Sequence, residues 1–497
     1  MPTKLEVLKS IEIGERVAEE ESDQLEKYFL ETDQWNQMYD GKIDVVYGPK
    51  GSGKSALYTL LNKKDGNLFD KGVLLAPAEN VRGATAFRTI VSDPPPSELS
   101  FVYLWKIYCL SIIASSLREY EVKNTHSTSL ISALEHVGIL PPTSSITTLF
   151  RSVSRYFKGW LERDTKTVEY ALSIDPISGA PTFSRKQEFS EQSEEQNLDE
   201  IPIEEFFESA NSALEKENLT LWLLFDRLDV AFADSPELER NALRALFRTY
   251  NDLKAYNQIR MKIFVRDDIW QRITAGGFTE ASHITKSVNI SWSEESLLNL
   301  LILRFLNNRS FIEYSEIDIN EIKSNFKKQY ELFYSIVPQK IDTGNNPKTF
   351  NWVMSRTADA SGKCVPREVI HLFETAKESQ IIRLERGGEE PPEQQLLDRS
   401  AFRDSLPTVS KVRYEQTLLA EYPNMKDYLE KLKSEKSEQS IESLSKLWEV
   451  EFNIAKEIAF RLVEIGFFEI RGTKENPSFW VPFLYRNALS LVQGKAD

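Results

Sequence analysis

Residues 48–55 read Gly48-Pro49-Lys50-Gly51-Ser52-Gly53-Lys54-Ser55, and they constrain this chain more than any other stretch. The apolar run IDVVY, Ile43 to Tyr47, precedes them, and the helical pattern SALYTLLNK follows. Glycines, a lysine and a serine at this spacing, between a strand and a helix, form a cradle for a triphosphate. The glycines let the backbone wrap around the ligand, so that its N–H groups and the helix N-terminus face the oxygens. Lys54 is placed to neutralise the β- and γ-phosphates and Ser55 to ligate Mg²⁺. Gly48 to Ala56 is then the nucleotide-binding segment. The alternative, an accidental glycine-rich turn, does not account for both flanks.

Such a cradle needs an acid at the end of a neighbouring buried strand, where it reaches the metal through water. The run LWLLFDRLD supplies Asp226 at its end, with Asp229 just beyond it to orient an attacking water. Each aspartate also has a plainer reading as a helix N-cap or a structural carboxylate. Arg227, not an acid, follows Asp226.

The grammar around these motifs is α/β. Short apolar runs end at polar or glycine-bearing turns and are followed by helical segments: Ile43 to Tyr47, Gly72 to Pro77, Leu221 to Asp226, Lys262 to Arg266 and Val288 to Trp292. These predict a parallel five-stranded sheet covered on both faces. The gap between the second and third runs is too long for a crossover and predicts an insertion over about residues 100–205. It opens with an apolar helix around Leu104 to Leu117, which carries Lys106 and is too short to span a membrane. Further on, VEYALSIDPISGAPTFSRKQEF alternates about Asp175-Pro176-Ile177-Ser178-Gly179 as a hairpin, and SEQSEEQNLDE follows as a polar linker.

After Trp292 helical periodicity takes over, predicting a helical lid over residues 293–386 that follows a nucleotide domain over 1–292. The glycine, proline and like charges of Gly387 to Gln395 read as a linker. Residues 396–497 then give helices at KDYLEKLK, SLSKLWEV and NIAKEIAFRLVEIG and two short strands, FFEIRG and SFWVPFL, which is a winged-helix pattern.

Composition narrows the partners. A formal charge of -15 repels polyanions at long range, so indiscriminate coating of nucleic acid is not expected. The third helix pairs Lys456 and Arg461 with Glu457 and Glu464, and only Arg471 and Lys474 add charge on the wing, so DNA is an allowed partner that is not favoured. Cys109 and Cys364 are the only cysteines, which fits a reducing, cytoplasmic setting. The N-terminus is charged and acidic with no signal-peptide core, and no membrane partner is expected.

Taken together, GPKGSGKS, FDRLD, IFVRDDIW, the opening GERVAEEESDQLEKYFLETDQW and the late FWVPFLYRNAL resemble the ASCE P-loop ATPases. Within these the chain resembles a group between origin-recognition-type AAA+ proteins and STAND ATPases, including bacterial ones with a C-terminal winged helix. The DRLD arrangement is similar to the D-x-h-D form of NACHT-type STAND proteins, although Val230 stands where a glutamate often follows. The usual hydrolytic AAA+ enzyme has glutamate where this chain has Arg227, which implies slow or partner-activated hydrolysis. The resemblance favours ATP, as does the lack of a guanine-reading N/T-K-x-D motif. It makes Arg266, at the tip of the fourth run, a γ-phosphate sensor, with a salt bridge to Asp267 or Asp268 as the alternative. Arg367, in Gly362-Lys363-Cys364-Val365-Pro366-Arg367, resembles a second sensor, and a plain helix start is its alternative. Arg240, Arg244 and Arg248 share a helix face as arginine-finger candidates or as a solvated, paired face.

The same resemblance implies a nucleotide-controlled switch or assembly in bacterial antiphage defence. It brings a homo-oligomer and a separate protein effector or sensor as partners. The runner-up readings are an origin-recognition-like DNA-binding ATPase and a nucleotide-gated scaffold without turnover.

Overall fold

Uninterrupted apolar runs suit strands that are buried on both faces, and the sheet forms from them. The computed structural model describes residues 2–14, 21–78, 98–142, 148–149, 152–153, 172–174, 181–184, 200–227, 236–275, 277–473 and 477–496. Asp229, the Asp175–Gly179 turn, Lys474 and nearly all of the SEQSEEQNLDE segment lie outside these. The chain divides into two compact units, one of residues 32–48 and 54–290 and one of residues 1–31, 49–53 and 291–497.

The first unit carries strands β1 (Val45–Gly48), β2 (Val73–Pro77), β3 (Leu172–Ile174), β4 (Pro181–Ser184), β5 (Glu200–Pro202), β6 (Thr220–Phe225), β7 (Ile259–Arg266) and β8 (Ser287–Asn289). Five of them make the expected parallel sheet, in the order β2-β6-β7-β1-β8. The fold is thus α/β with a five-stranded parallel sheet. The insertion contributes a separate antiparallel sheet, in which β3 pairs with β4 as the hairpin pattern predicts and β5 adds a third strand.

The helix Glu98–Glu119 is buried along most of its length and packs on β2, β6 and the helix Pro236–Leu253. Its Trp105 donates to Ala242 O at 2.7 Å and meets the ring of Phe225 edge-on. Lys106 survives in this apolar helix because Asp252 at 2.8 Å and Glu204 at 3.2 Å neutralise it. This is the one helix among the described residues long and apolar enough to cross a membrane, and 72% of its most apolar window is buried in the fold.

In the second unit, helices Glu294–Leu306, Phe326–Ile336, Thr349–Thr357, Pro366–Glu385 and Arg399–Arg413 enclose a core that includes Phe305, Phe311, Phe333, Trp352, Phe373 and Phe402. The N-terminal helix Lys4–Ser10, closed by a capping box from Thr3 to Glu6, adds Val7 and Leu8 to that core. Residues 387–395 run within this unit, and Leu396 and Leu397 beyond them are buried in the same core. The C-terminal part runs helix Lys426–Lys431, β9 (Lys436–Gln439), helices Ile441–Trp448 and Phe452–Glu464, β10 (Glu469–Gly472), β11 (Pro477–Trp480), helix Phe483–Arg486 and β12 (Val492–Lys495). Its sheet order is β10-β11-β9-β12, with the β10–β11 pair antiparallel.

Candidate nucleotide site

The 48–55 segment folds as a strand, a tight loop and a helix. Gly48 ends β1, and Lys54, Ser55 and Ala56 form the first turn of the helix Lys54–Lys63, whose first N–H groups have no partner inside the helix. Gly51 and Gly53 take φ of +84° and +99°, left-handed conformations that a side chain would strain. A Cβ on Gly51 would also sit 3.0 Å from the Cβ of Arg367 and 3.3 Å from Val365. Lys54 is 9% exposed, and its Nζ donates to Gly48 O at 2.8 Å, so the ammonium curls back over its own turn.

The loop residues 49–53 cluster with the second unit. There Trp292 donates its indole N–H to Ser52 O at 2.8 Å, and Lys50 is ion-paired with Glu421. Ser52 is fully buried, and its Oγ has no hydrogen-bond partner among the described residues. Arg367 follows Pro366, the first residue of the helix Pro366–Glu385, and its stem lies against Gly51. The next residue, Glu368, is 4% exposed and accepts from Arg413 at 2.8 Å. Burial lowers the Arg413 pKa, but the neighbouring Tyr485 and Glu368 outweigh it and hold the guanidinium firmly charged.

In the sheet unit, Asp226 follows the last residue of β6 and is 5% exposed. Arg227 then takes φ of +54°, uncommon for a residue with a side chain, so the chain leaves the strand sharply. β7 lies between β6 and β1, and at its tip Arg266 is the register partner of Gly48. Arg266 grips Asp268 through Nε and Nη2, each 2.9 Å from a carboxylate oxygen, while Asp267 accepts from Asn289 at 3.1 Å. Arg266 therefore makes a salt bridge of the kind weighed from its sequence.

The three periodic arginines are not equivalent. Arg244 donates to the carbonyls of Ile273, Ala275 and Gly277 at 2.8 to 3.1 Å, and Arg248 bridges Glu98 at 2.7 Å and Glu280 at 3.0 Å. Arg240 is exposed. Sequence reasoning did not find Trp292 or Glu421 as neighbours of these motifs. Both lie more than two hundred positions from the loop residues they bond and left no local cue.

The donors present suit Mg-ATP. Mg²⁺ keeps several waters and takes few protein ligands, so a hydroxyl such as that of Ser55 and a carboxylate such as that of Asp226 are enough beside phosphate oxygens. No cluster of three or more His, Cys, Asp or Glu side chains able to hold a metal by themselves occurs among the described residues.

No protein-family model matches the sequence, and no curated protein matches it. Among solved structures the chain is similar to the Aeropyrum pernix ORC2 protein in its ADPNP-ADP complexes. That match has a TM-score of 0.35 and 12% identity over 95% of this chain and 93% of that one. The ADP form of the same protein gives a TM-score of 0.33 and 12% identity over 93% and 88%. Superpositions this loose leave the sheet itself as the ground for the fold.

Proposed function

We propose that the chain is a Mg-ATP-binding P-loop ATPase of the ASCE division, acting as a nucleotide-controlled switch. The observation that carries this reading is the placement of β7 between the strand that feeds the glycine loop, β1, and the strand that ends at Asp226, β6. That order sets a third strand tip, Arg266, level with Gly48. A polar tip there has a reason to exist when a γ-phosphate must be sensed.

In this reading the loop from Gly48 to Gly53 and the N–H groups of Lys54, Ser55 and Ala56 hold the phosphates. The Lys54 ammonium leaves Gly48 O for the β- and γ-phosphates, and Ser55 and Asp226 hold Mg²⁺ with water. When bound, the metal supplies charge neutralisation across the phosphates. Asp229 orients water, and Arg266 and Arg367 read the terminal phosphate. Arg227 in place of an acid supports slow or partner-activated turnover, with a non-hydrolysing scaffold as the limit.

Residues 1–292 serve as the nucleotide domain, 293–386 as a lid and 396–497 as a winged helix. Two buried free thiols support a cytoplasmic setting. The finer reading, an antiphage switch with a separate protein effector and a homo-oligomeric state, rests on the motif resemblance to STAND proteins. Base reading in the manner of an origin-recognition protein finds less support. The helix Phe452–Glu464 exposes Phe452, Ile454 and Phe460, and its Arg461 is paired with Glu464 at 2.7 Å.

The test is ATP turnover by the wild type beside Lys54→Ala and Asp229→Ala, with and without DNA, while mass is followed by light scattering. Lys54-dependent turnover supports the ATPase. Binding without turnover under every condition leaves only the scaffold.

A further inference from the structure

The helix Pro366–Glu385 starts without a side-chain cap: Val365, at its N-cap, makes no such bond, and Pro366 supplies only a preset φ. Helix ends left this way fray, yet the first turn carries Arg367, whose stem lies against Gly51. The next residue is held firmly. Glu368 is 4% exposed and accepts from Arg413 Nη1 at 2.8 Å on Oε1, while its Oε2 is buried with no hydrogen-bond partner among the described residues. Arg413 is thus the hydrogen-bonding partner that ties this carboxylate down.

Arg413 ends the helix Arg399–Arg413, and its Nε donates to the hydroxyl of Tyr485 at 3.4 Å. A buried ion pair adds little net stability, because packed apolar side chains of the same volume serve as well. What a rigid guanidinium fork adds is direction. The chain beyond Arg413 then comes back to the phosphate loop. Tyr414–Leu419 is a π-helix, and Glu421, just past it, is ion-paired with Lys50. The eight residues from Arg413 to Glu421 make about 2.2 turns of α-helix, which would set the two about 80° apart around the axis. The wider π turns take more residues each and bring them nearer to one side, a use for a rare geometry that recurs at functional sites. Lys50 and Gly51 are consecutive. One stretch of chain therefore holds the loop at Lys50 and, through Glu368, holds the residue that leans on Gly51.

We propose that Arg413 is a positioning residue for nucleotide sensing, which through Glu368 aims Arg367 at the terminal phosphate of ATP. The proposal rests on the reading of residues 48–56 as a Mg-ATP site and adds to it a residue that acts only through another. Consecutive residues of a helix point about 100° apart, so a first turn that rotates once Glu368 is released carries Arg367 off its line. ADP has no terminal phosphate to be read, so the loss falls on ATP alone.

The test is calorimetric titration of Mg-ATP and of Mg-ADP into the full chain, scored as the ratio of the two affinities. The wild type prefers ATP, and Arg367→Ala lowers the ratio by about tenfold, the scale of one charged hydrogen bond. Arg413→Gln lowers it several-fold and leaves ADP affinity unchanged. The double variant gives the ratio of Arg367→Ala alone, because Arg413 acts through Arg367. A merely structural ion pair instead lowers the melting temperature and weakens both nucleotides together. Should Arg413→Gln not fold, Glu368→Gln, which keeps the shape of the side chain and removes its charge, carries the same test with the same expected fall. An equal ratio in wild type and folded variants, a wild type that does not distinguish the two nucleotides, or additive losses in the double variant would overturn the proposal and leave nucleotide binding intact. A folded wild type that binds neither nucleotide overturns the Mg-ATP reading along with it.

Discussion

The ammonium of Lys54 donates to the carbonyl oxygen of Gly48 at 2.8 Å, closing the turn that the two residues bracket. The same ammonium is the charge that the proposed phosphates require, so ligand and carbonyl compete for it. A second lysine of the turn, Lys50, is likewise engaged, on Glu421.

Removing Glu421 frees Lys50 to face an incoming triphosphate. Glu421→Ala is expected to tighten Mg-ATP binding by about two- to fivefold, the scale of a partly exposed ion pair, and more at low salt than at high. Calorimetric titration at two salt concentrations checks this, and an unchanged affinity would separate Lys50 from the phosphates.

Gly51 and Gly53 differ in a way that thermal melts resolve. Gly51→Ala meets both a φ of +84° and a Cβ 3.0 Å from Arg367, whereas at Gly53 the φ is +99° and the nearest atom, on Trp292, is 4.0 Å away. Left-handed backbone costs an L-residue about 1–2 kcal/mol, so both variants lose stability and Gly51→Ala loses more. Equal melting temperatures would mean that the Arg367 stem gives way freely.

Lys262 lies inside β7 and is 1% exposed, with Nζ 2.9 Å from Asp44 and 4.4 Å from the ring of Trp222. Burial brings its pKa down from 10.5 to about 8 despite Asp44, with smaller repulsion from Arg260 and Lys286. Between these values the unfolded chain binds more protons than the folded one, so this group makes stability rise with pH above about 8. Tyr250, donating to Asp44 Oδ2 at 3.3 Å, acts the other way above 10, because burial raises its pKa. Burial likewise pushes the Cys109 and Cys364 thiols up from their ordinary value of 9, which turns the slope downward above it. The rise therefore falls between about pH 8 and 9, read as a urea midpoint, and is expected to disappear in the Lys262→Met/Asp44→Asn double variant.

Much of the sheet was legible because buried parallel strands leave long apolar runs, and Leu221 to Phe225 reads as one. Where polar residues enter a strand the reading thinned. The fourth run starts at Lys262 in the sequence, yet β7 begins at Ile259, because Arg260 and Lys262 find partners in Gly41 O and Asp44 that no local pattern announces. Trp292, expected at the end of a strand, lies beyond β8 and donates to Ser52 O. The proposed triphosphate cradle is local chemistry and is read from eight residues. The Lys50–Glu421 pair joins positions 371 apart, which no periodicity or motif can reveal.

In the proposed reading Arg227 stands where a hydrolytic acid would serve, so turnover by the isolated chain is expected to be low. Arg227→Glu is expected to raise the ATP turnover number by about 100-fold, the lower end of general-base effects, with little change in ATP affinity. Steady-state phosphate release over a range of ATP concentrations separates the two quantities. A fall in turnover would show that Arg227 itself supports the chemistry.

The central claim is that residues 48–56 bind Mg-ATP, and isothermal titration of Mg-ATP into the wild type and into Lys54→Ala tests it most directly. The account predicts saturable binding to the wild type that weakens by at least about 100-fold in Lys54→Ala, the scale of losing a charged hydrogen-bonding partner at a buried site. Equal binding by the two proteins, or none by a folded wild type, would contradict it.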